Sequence, residues 1–129
     1  MANEVQLRIK KSTPIDMIVP NVGGIEKGTI LSGADGRNAS PNGLLNEPFA
    51  GVARREKITS DGRTRLSTFP KGSGNVYDMV CSGPVTIGDK LVLSGANQIS
   101  GAKLATFSNE FGRALETGAT GATIQVLDD

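Results

Sequence analysis

The sequence contains no histidine, so no Ser-His or Cys-His pair can form, which excludes the commonest nucleophilic constellations. The one thiol, Cys81, would need a cationic or helix-terminal setting to become reactive. No local signature supplies one, so Cys81 reads as a small buried hydrophobe. A single cysteine also excludes an intrachain disulfide and fits a reducing compartment. One Cys without His cannot build a zinc site. Among oxygen ligands, Asp35-Gly36 reads as a turn and Asp128-Asp129 as solvated acids, and EF-hand spacing is absent. Gly72-Ser73-Gly74 lacks the Gly-Lys-Ser/Thr that a phosphate-cradling loop requires. Asn38-Ala39-Ser40 fits the glycosylation pattern, which matters only in a secreted chain, and the first ten residues lack a signal peptide's apolar core. The expectation is a protein that is not an enzyme and takes no cofactor or metal.

What remains is binding chemistry. Val5, Leu7 and Ile9 alternate with Gln6, Arg8 and Lys10, which at period two puts three apolar side chains on one face of an extended segment. Such a strand, if exposed, can add to the edge of a neighbour's sheet through main-chain hydrogen bonds. The other reading is an ordinary first strand. The basic doublets Lys10-Lys11 and Arg54-Arg55 could pair with acidic groups on a partner. The candidate partner-binding or intersubunit-binding residues are therefore Val5, Leu7, Ile9, Lys10, Lys11, Arg54 and Arg55. The formal net charge of +1, with signs evenly mixed, offers no field for nucleic acid or an acidic membrane. No apolar run reaches the roughly 20 residues of a membrane span. The expectation is a soluble protein made in the cytoplasm.

The elements that position these residues follow from alternation and turn signals. The chain has 129 residues, 17 of them glycine and none tryptophan, so it suits one domain with a modest aliphatic core and many tight turns. Lys10 to Pro14 breaks the first strand, and Ile15, Met17 and Val19 resume the alternation. This divides the chain into an extended segment, residues 1–14, and a single β domain, residues 15–129. Thr29 to Leu31 reads as a strand, and Ser32 to Asn46 as a long surface excursion with Leu44 and Leu45 as its anchors. Pro48 to Arg54 reads as a core strand. Asp61-Gly62 predicts a two-residue hairpin between Ile58-Thr59 and Thr64-Leu66. Val76 to Cys81, Val85 to Leu93 around Gly88-Asp89, Arg113 to Glu116 and Thr123 to Leu127 complete the strands. Residues Ala102 to Glu110 are ambiguous between a helical turn and a loop. Short strands at frequent turns predict an all-β fold, a small barrel or compact sandwich with long loops.

The ordered set Lys27-Gly28-Thr29-Ile30-Leu31, Phe49-Ala50-Gly51-Val52-Ala53, Asp61-Gly62, Gly83 to Asp89, Gly95-Ala96-Asn97 and Phe111 to Thr117 leading to Thr123-Ile124-Gln125-Val126 resembles the head decoration, or capsid cement, proteins of tailed bacteriophages. The likeness runs from about Gly24 onward, and Gly72 to Asn75 departs from the pattern. The resemblance implies a β-tulip-like or small barrel fold, a homotrimer on the outer surface of the virion, the major capsid protein as partner, and stabilisation of the head against internal pressure. A carbohydrate-binding or adhesive module on a phage fibre or tail is the alternative, with Ser32 to Asn46 as its contact loop. Aromatic platforms for sugars are scarce, since Tyr77 is the one tyrosine.

Overall fold

The computed structural model describes residues 4–11, 13–20, 23–33, 38–101 and 109–129. Their regular structure is entirely strand: β1 (Gln6–Ile9), β2 (Ile15–Ile18), β3 (Ile30–Ser32), β4 (Ser40–Pro41), β5 (Phe49–Ala53), β6 (Arg65–Pro70), β7 (Val76–Cys81), β8 (Lys90–Leu93), β9 (Gln98–Gly101), β10 (Phe111–Ala114) and β11 (Thr123–Leu127). One sheet runs β1-β7-β11-β10-β8-β9 and the other β2-β6-β5-β3-β4. In the first sheet β7 also pairs in parallel with β9, which closes a five-stranded barrel and leaves β1 as an added strand on its outside. The all-β small-barrel expectation is thus met.

The two sheets are copies of one plan. In the second, the parallel bridge Ile18↔Asn38 stands where Val80↔Gln98 stands in the first. Ile25 and Lys57 exchange two backbone hydrogen bonds, and so do Val85 and Gly118. Gly28 N–H donates to Ala53 and Gly88 N–H to Ala114, while Ala53 and Ala114 donate back to Thr29 and Asp89. The ladders agree as well, with Ile18↔Arg65 matching Val80↔Thr123. Met17, Val19, Ile25, Leu31, Ala39, Ala53 and Leu66 form the interior of the first half. Their counterparts Met79, Cys81, Val85, Leu91, Ile99, Ala114 and Ile124 are all buried in the second. Apolar character is kept along this set, and most of the differences, such as Ile25 against Val85 and Leu66 against Ile124, are small apolar swaps of the kind a packed core tolerates, whereas Ala39 against Ile99 is a change of volume.

One glycine in each half is obligatory. A Cβ on Gly51 would lie 2.2 Å from the Phe69 carbonyl oxygen, and one on Gly112 would lie 2.2 Å from that of Leu127. Gly112 also has φ of +48°, which side chains other than glycine's rarely adopt. Both sit where β5 and β10 cross closely over their neighbours.

The halves are joined by a shared core in which Ile30, Phe49, Val52 and Phe69 pack with the interior of the second barrel. The rings of Phe49 and Phe111 stack with centroids 4.3 Å apart. Asparagines finish the seam: Asn97 Oδ1 accepts from Ile30 N–H at 2.8 Å, and Asn42 Nδ2 donates to the Gly95 carbonyl at 2.7 Å. Asn46 N–H donates to Leu93, and Asn109 Nδ2 donates to the Asn46 carbonyl at 2.8 Å.

Several sequence expectations need correction. Leu44 and Leu45 are exposed at 69% and 53%, so they anchor nothing within the chain. Ser32 to Asn46 is instead tied down by β4 and by buried Ala39 and Asn42. Asp61-Gly62 is not a hairpin turn: Ile58-Thr59 is no strand, and Asp61 caps a local loop by accepting from Arg63 N–H at 2.9 Å. Asp128, read as a solvated acid, is fully buried. Residues 102–108, most of the ambiguous segment, lie outside the described residues.

Candidate interaction surface

β1 runs antiparallel to β7 with Gln6 opposite Asp78, Leu7 opposite Tyr77 and Ile9 opposite Val76. Its alternation makes it a strand, and a slot on the outside of the second barrel receives it. Val5 enters the shared core and is 4% exposed, with its N–H donating to the Gly28 carbonyl. Leu7 and Ile9 remain 37% and 50% exposed. Arg8 Nε lies 3.5 Å from Asp78 Oδ2, an ion pair over the β1–β7 ladder. Beyond the strand, Lys11 N–H donates to Asn75 Oδ1 at 2.6 Å.

The Gly72 to Asn75 loop, discounted as a phosphate site, is the buttress of this surface. Asp128 accepts from Gly72 N–H and from the Ser73 hydroxyl, each at 3.0 Å, and its carbonyl accepts from Gly74 N–H at 2.7 Å. Asn75 Nδ2 donates to the buried Tyr77 hydroxyl at 3.0 Å. Burial pushes the Asp128 carboxyl above its ordinary range, partly offset by the Gly72 N–H and the Ser73 hydroxyl. Burial likewise pushes the Tyr77 phenol up to about 12. Neither residue has a sequence pattern that marks it. Tyr77 is wholly buried and is no platform for a sugar.

The candidate residues do not form one patch. Gly28 links Val5 to Ala53, at the end of β5 from which half-buried Arg54 and exposed Arg55 emerge. Lys10 and Lys11 lie beyond the other end of β1, about 16–20 Å from Val5 at roughly 3.3 Å per residue of strand. Near the Val5 end, Glu4, Glu26, Lys27 and Glu56 line a shallow depression, so the basic doublet there has acidic neighbours in its own chain. Sequence reasoning also missed Lys57, whose side chain is fully buried and whose ammonium lies 3.1 Å from Asp61 Oδ1 and 3.2 Å from the Ile58 carbonyl. The Asp61 carboxyl is held below its ordinary range, chiefly by the Arg63 N–H and then by Lys57, against a desolvation that raises it. Lys57 occupies the position of Gly118 in the other half, where a Cβ would come within 2.5 Å of Ile124.

No protein-family profile matches the sequence, and no curated protein matches it. Among solved structures, the chain is similar to the N-terminal base of the head fibre protein gp8.5 of bacteriophage phi29, with a TM-score of 0.59 at 15% identity, over 90% of this chain and 92% of that one. The two share a fold.

Proposed function

We propose that this chain is a structural protein of a tailed-phage head that binds the outside of the capsid and stabilises it, with the major capsid protein as partner. The carrying observation is that a phage head-fibre base shares this fold across nearly its whole length. A barrel pair without a histidine, presenting exposed strand edges and apolar side chains, suits a clamp more than a catalyst. In a homotrimer, several attachment points per assembly would raise effective affinity without new chemistry, provided they engage together.

The same likeness favours a second reading, the foot of a head fibre, because the phi29 protein is one. Co-sedimentation with expanded heads that lack this protein, together with their thermal rupture temperature, separates the two. Saturable binding with a raised rupture temperature is the expected result. Saturable binding with an unchanged temperature would assign the fibre-foot reading instead, and no binding at micromolar protein would remove both.

A further inference from the structure

One of the seam asparagines is chemically unstable in its sequence setting. Asn42-Gly43 is the one Asn-Gly step in the chain. In such a step the following main-chain nitrogen attacks the side-chain amide carbon, and glycine puts no side chain in the way. Gly43 is exposed, and a Cβ there would meet nothing within 4 Å. Its N–H makes one long hydrogen bond, to Glu47 Oε1 at 3.4 Å. Asn42 is placed in the opposite manner. It is 4% exposed, its main-chain N–H donates to the Ile30 carbonyl at 3.0 Å, and its Nδ2 reaches across the seam to the Gly95 carbonyl at 2.7 Å. Its Oδ1 is shut off from solvent and meets no donor among the described residues. Ring closure expels Nδ2, so it cannot proceed while that nitrogen is bonded to Gly95. The seam must open first.

We infer that Asn42 is a deamidation site guarded by the seam, and that its conversion makes opening of the seam one-way. Once the side chain has left Gly95, the Gly43 nitrogen gives its proton to a solvent base and bonds to Asn42 Cγ. The Cγ–Nδ2 bond breaks and ammonia departs, leaving a succinimide. Water then adds to one of the two ring carbonyls and opens the ring to aspartate or isoaspartate; nothing is oxidised or reduced. Either product changes the residue's charge and refits badly. The oxygen that replaces Nδ2 faces the Gly95 carbonyl, acceptor against acceptor, and the other falls where Oδ1 meets no donor. A carboxylate would thus be buried with neither oxygen satisfied, which is costly. Isoaspartate also lengthens the main chain ahead of Asn46, whose N–H holds the Leu93 carbonyl at 2.8 Å, so a second tie of the seam is strained with the first.

The test ages the full chain in mildly alkaline buffer beside a peptide of residues 39–46, ASPNGLLN, and follows conversion at residue 42 by peptide mapping and mass spectrometry. Conversion in the folded chain should be at least about tenfold slower than in the peptide, because local opening of a packed seam is a minor state. Phe49→Ala, which removes the ring stacked on Phe111, should bring the rate most of the way to that of the peptide. Asn42→Asp carries one product from the start and is read by hydrogen exchange, so it does not depend on how well Phe49→Ala folds. Protection should be lost at the Asn46 amide and kept at those of Ile124 and Val126 in β11. Equal rates in chain and peptide overturn the guard, and an unchanged rate in Phe49→Ala overturns the seam as its cause. Full protection of Asn46 in Asn42→Asp overturns the one-way step, and loss that extends into β11 overturns its confinement to the seam.

Discussion

At the scale of single residues, the buried polar groups around Asn75 make the sharpest predictions. Tyr77 is the only tyrosine and there is no tryptophan, so its ionisation can be followed alone by tyrosinate absorbance. Its phenol is raised from 10.0 to about 12, so the stability it contributes is complete below about pH 10 and lost as pH rises through about 12. The expected trace is a late titration that coincides with unfolding by circular dichroism; a normal curve near pH 10 in folded protein would contradict the burial. Asp128 behaves in the same sense. Its carboxyl is raised, so its contribution is greatest below the ordinary value of 3.8 and declines as pH rises through the higher folded value. Asp128→Asn, titrated by thermal melts between about pH 4 and pH 7, should flatten that decline. Asp61 and Asp129 have lowered values and slope the other way, losing their contribution only on acidification below 3.8. Cys81→Val should change stability by less than about 1.5 kcal/mol, since Val19 already fills the same site in the other half. Leu91→Ala should cost about 2–5 kcal/mol in denaturant melts, since Leu91 is fully buried.

At the scale of elements, alternation located β1, β2, β7 and β11, and apolar and small residues located β5; β7 and β11 show the inside and outside that a period of two records, whereas β1 is exposed at all four residues and β5 is almost wholly buried. These signals could not give β4, a two-residue strand, or the loss of a hairpin at Asp61-Gly62. That dipeptide is compatible with any tight loop, and the choice was made by a distant partner when Lys57 bridged to Ile25. That Val5 to Ile9 forms a strand was legible, whereas the docking of Val5 beneath Gly28 was not, since nothing in a local pattern says which end of a strand is swallowed. Val5→Asp places a charge in that buried site and should detach the arm while the barrels stay folded. Hydrogen exchange should then show lost protection at residues 6–9 and 76–78; protection that persists would mean that β1 is held by its ladder alone.

At the scale of the whole molecule, the shared core decides cooperativity. Because the Phe49–Phe111 stack and the asparagine seam tie one half to the other, thermal unfolding should be a single transition with calorimetric and van't Hoff enthalpies that agree. Phe49→Ala should cost about 3–5 kcal/mol and, if the seam is what couples the halves, separate the melt into two steps. The duplication itself was invisible to the sequence reading, since the halves share a burial template far more than they share residues. It also has a consequence in time. When the chain is synthesised, β1 emerges first and the edge of β2 is next to it, four residues away through Lys10 to Thr13, the length of a hairpin loop. Its final place on β7 is reached only after some seventy more residues. Nearby pairings form faster than distant ones, so β1 is held by one of the longest-range pairings in the fold and stays without its place until the chain through Cys81 has been made.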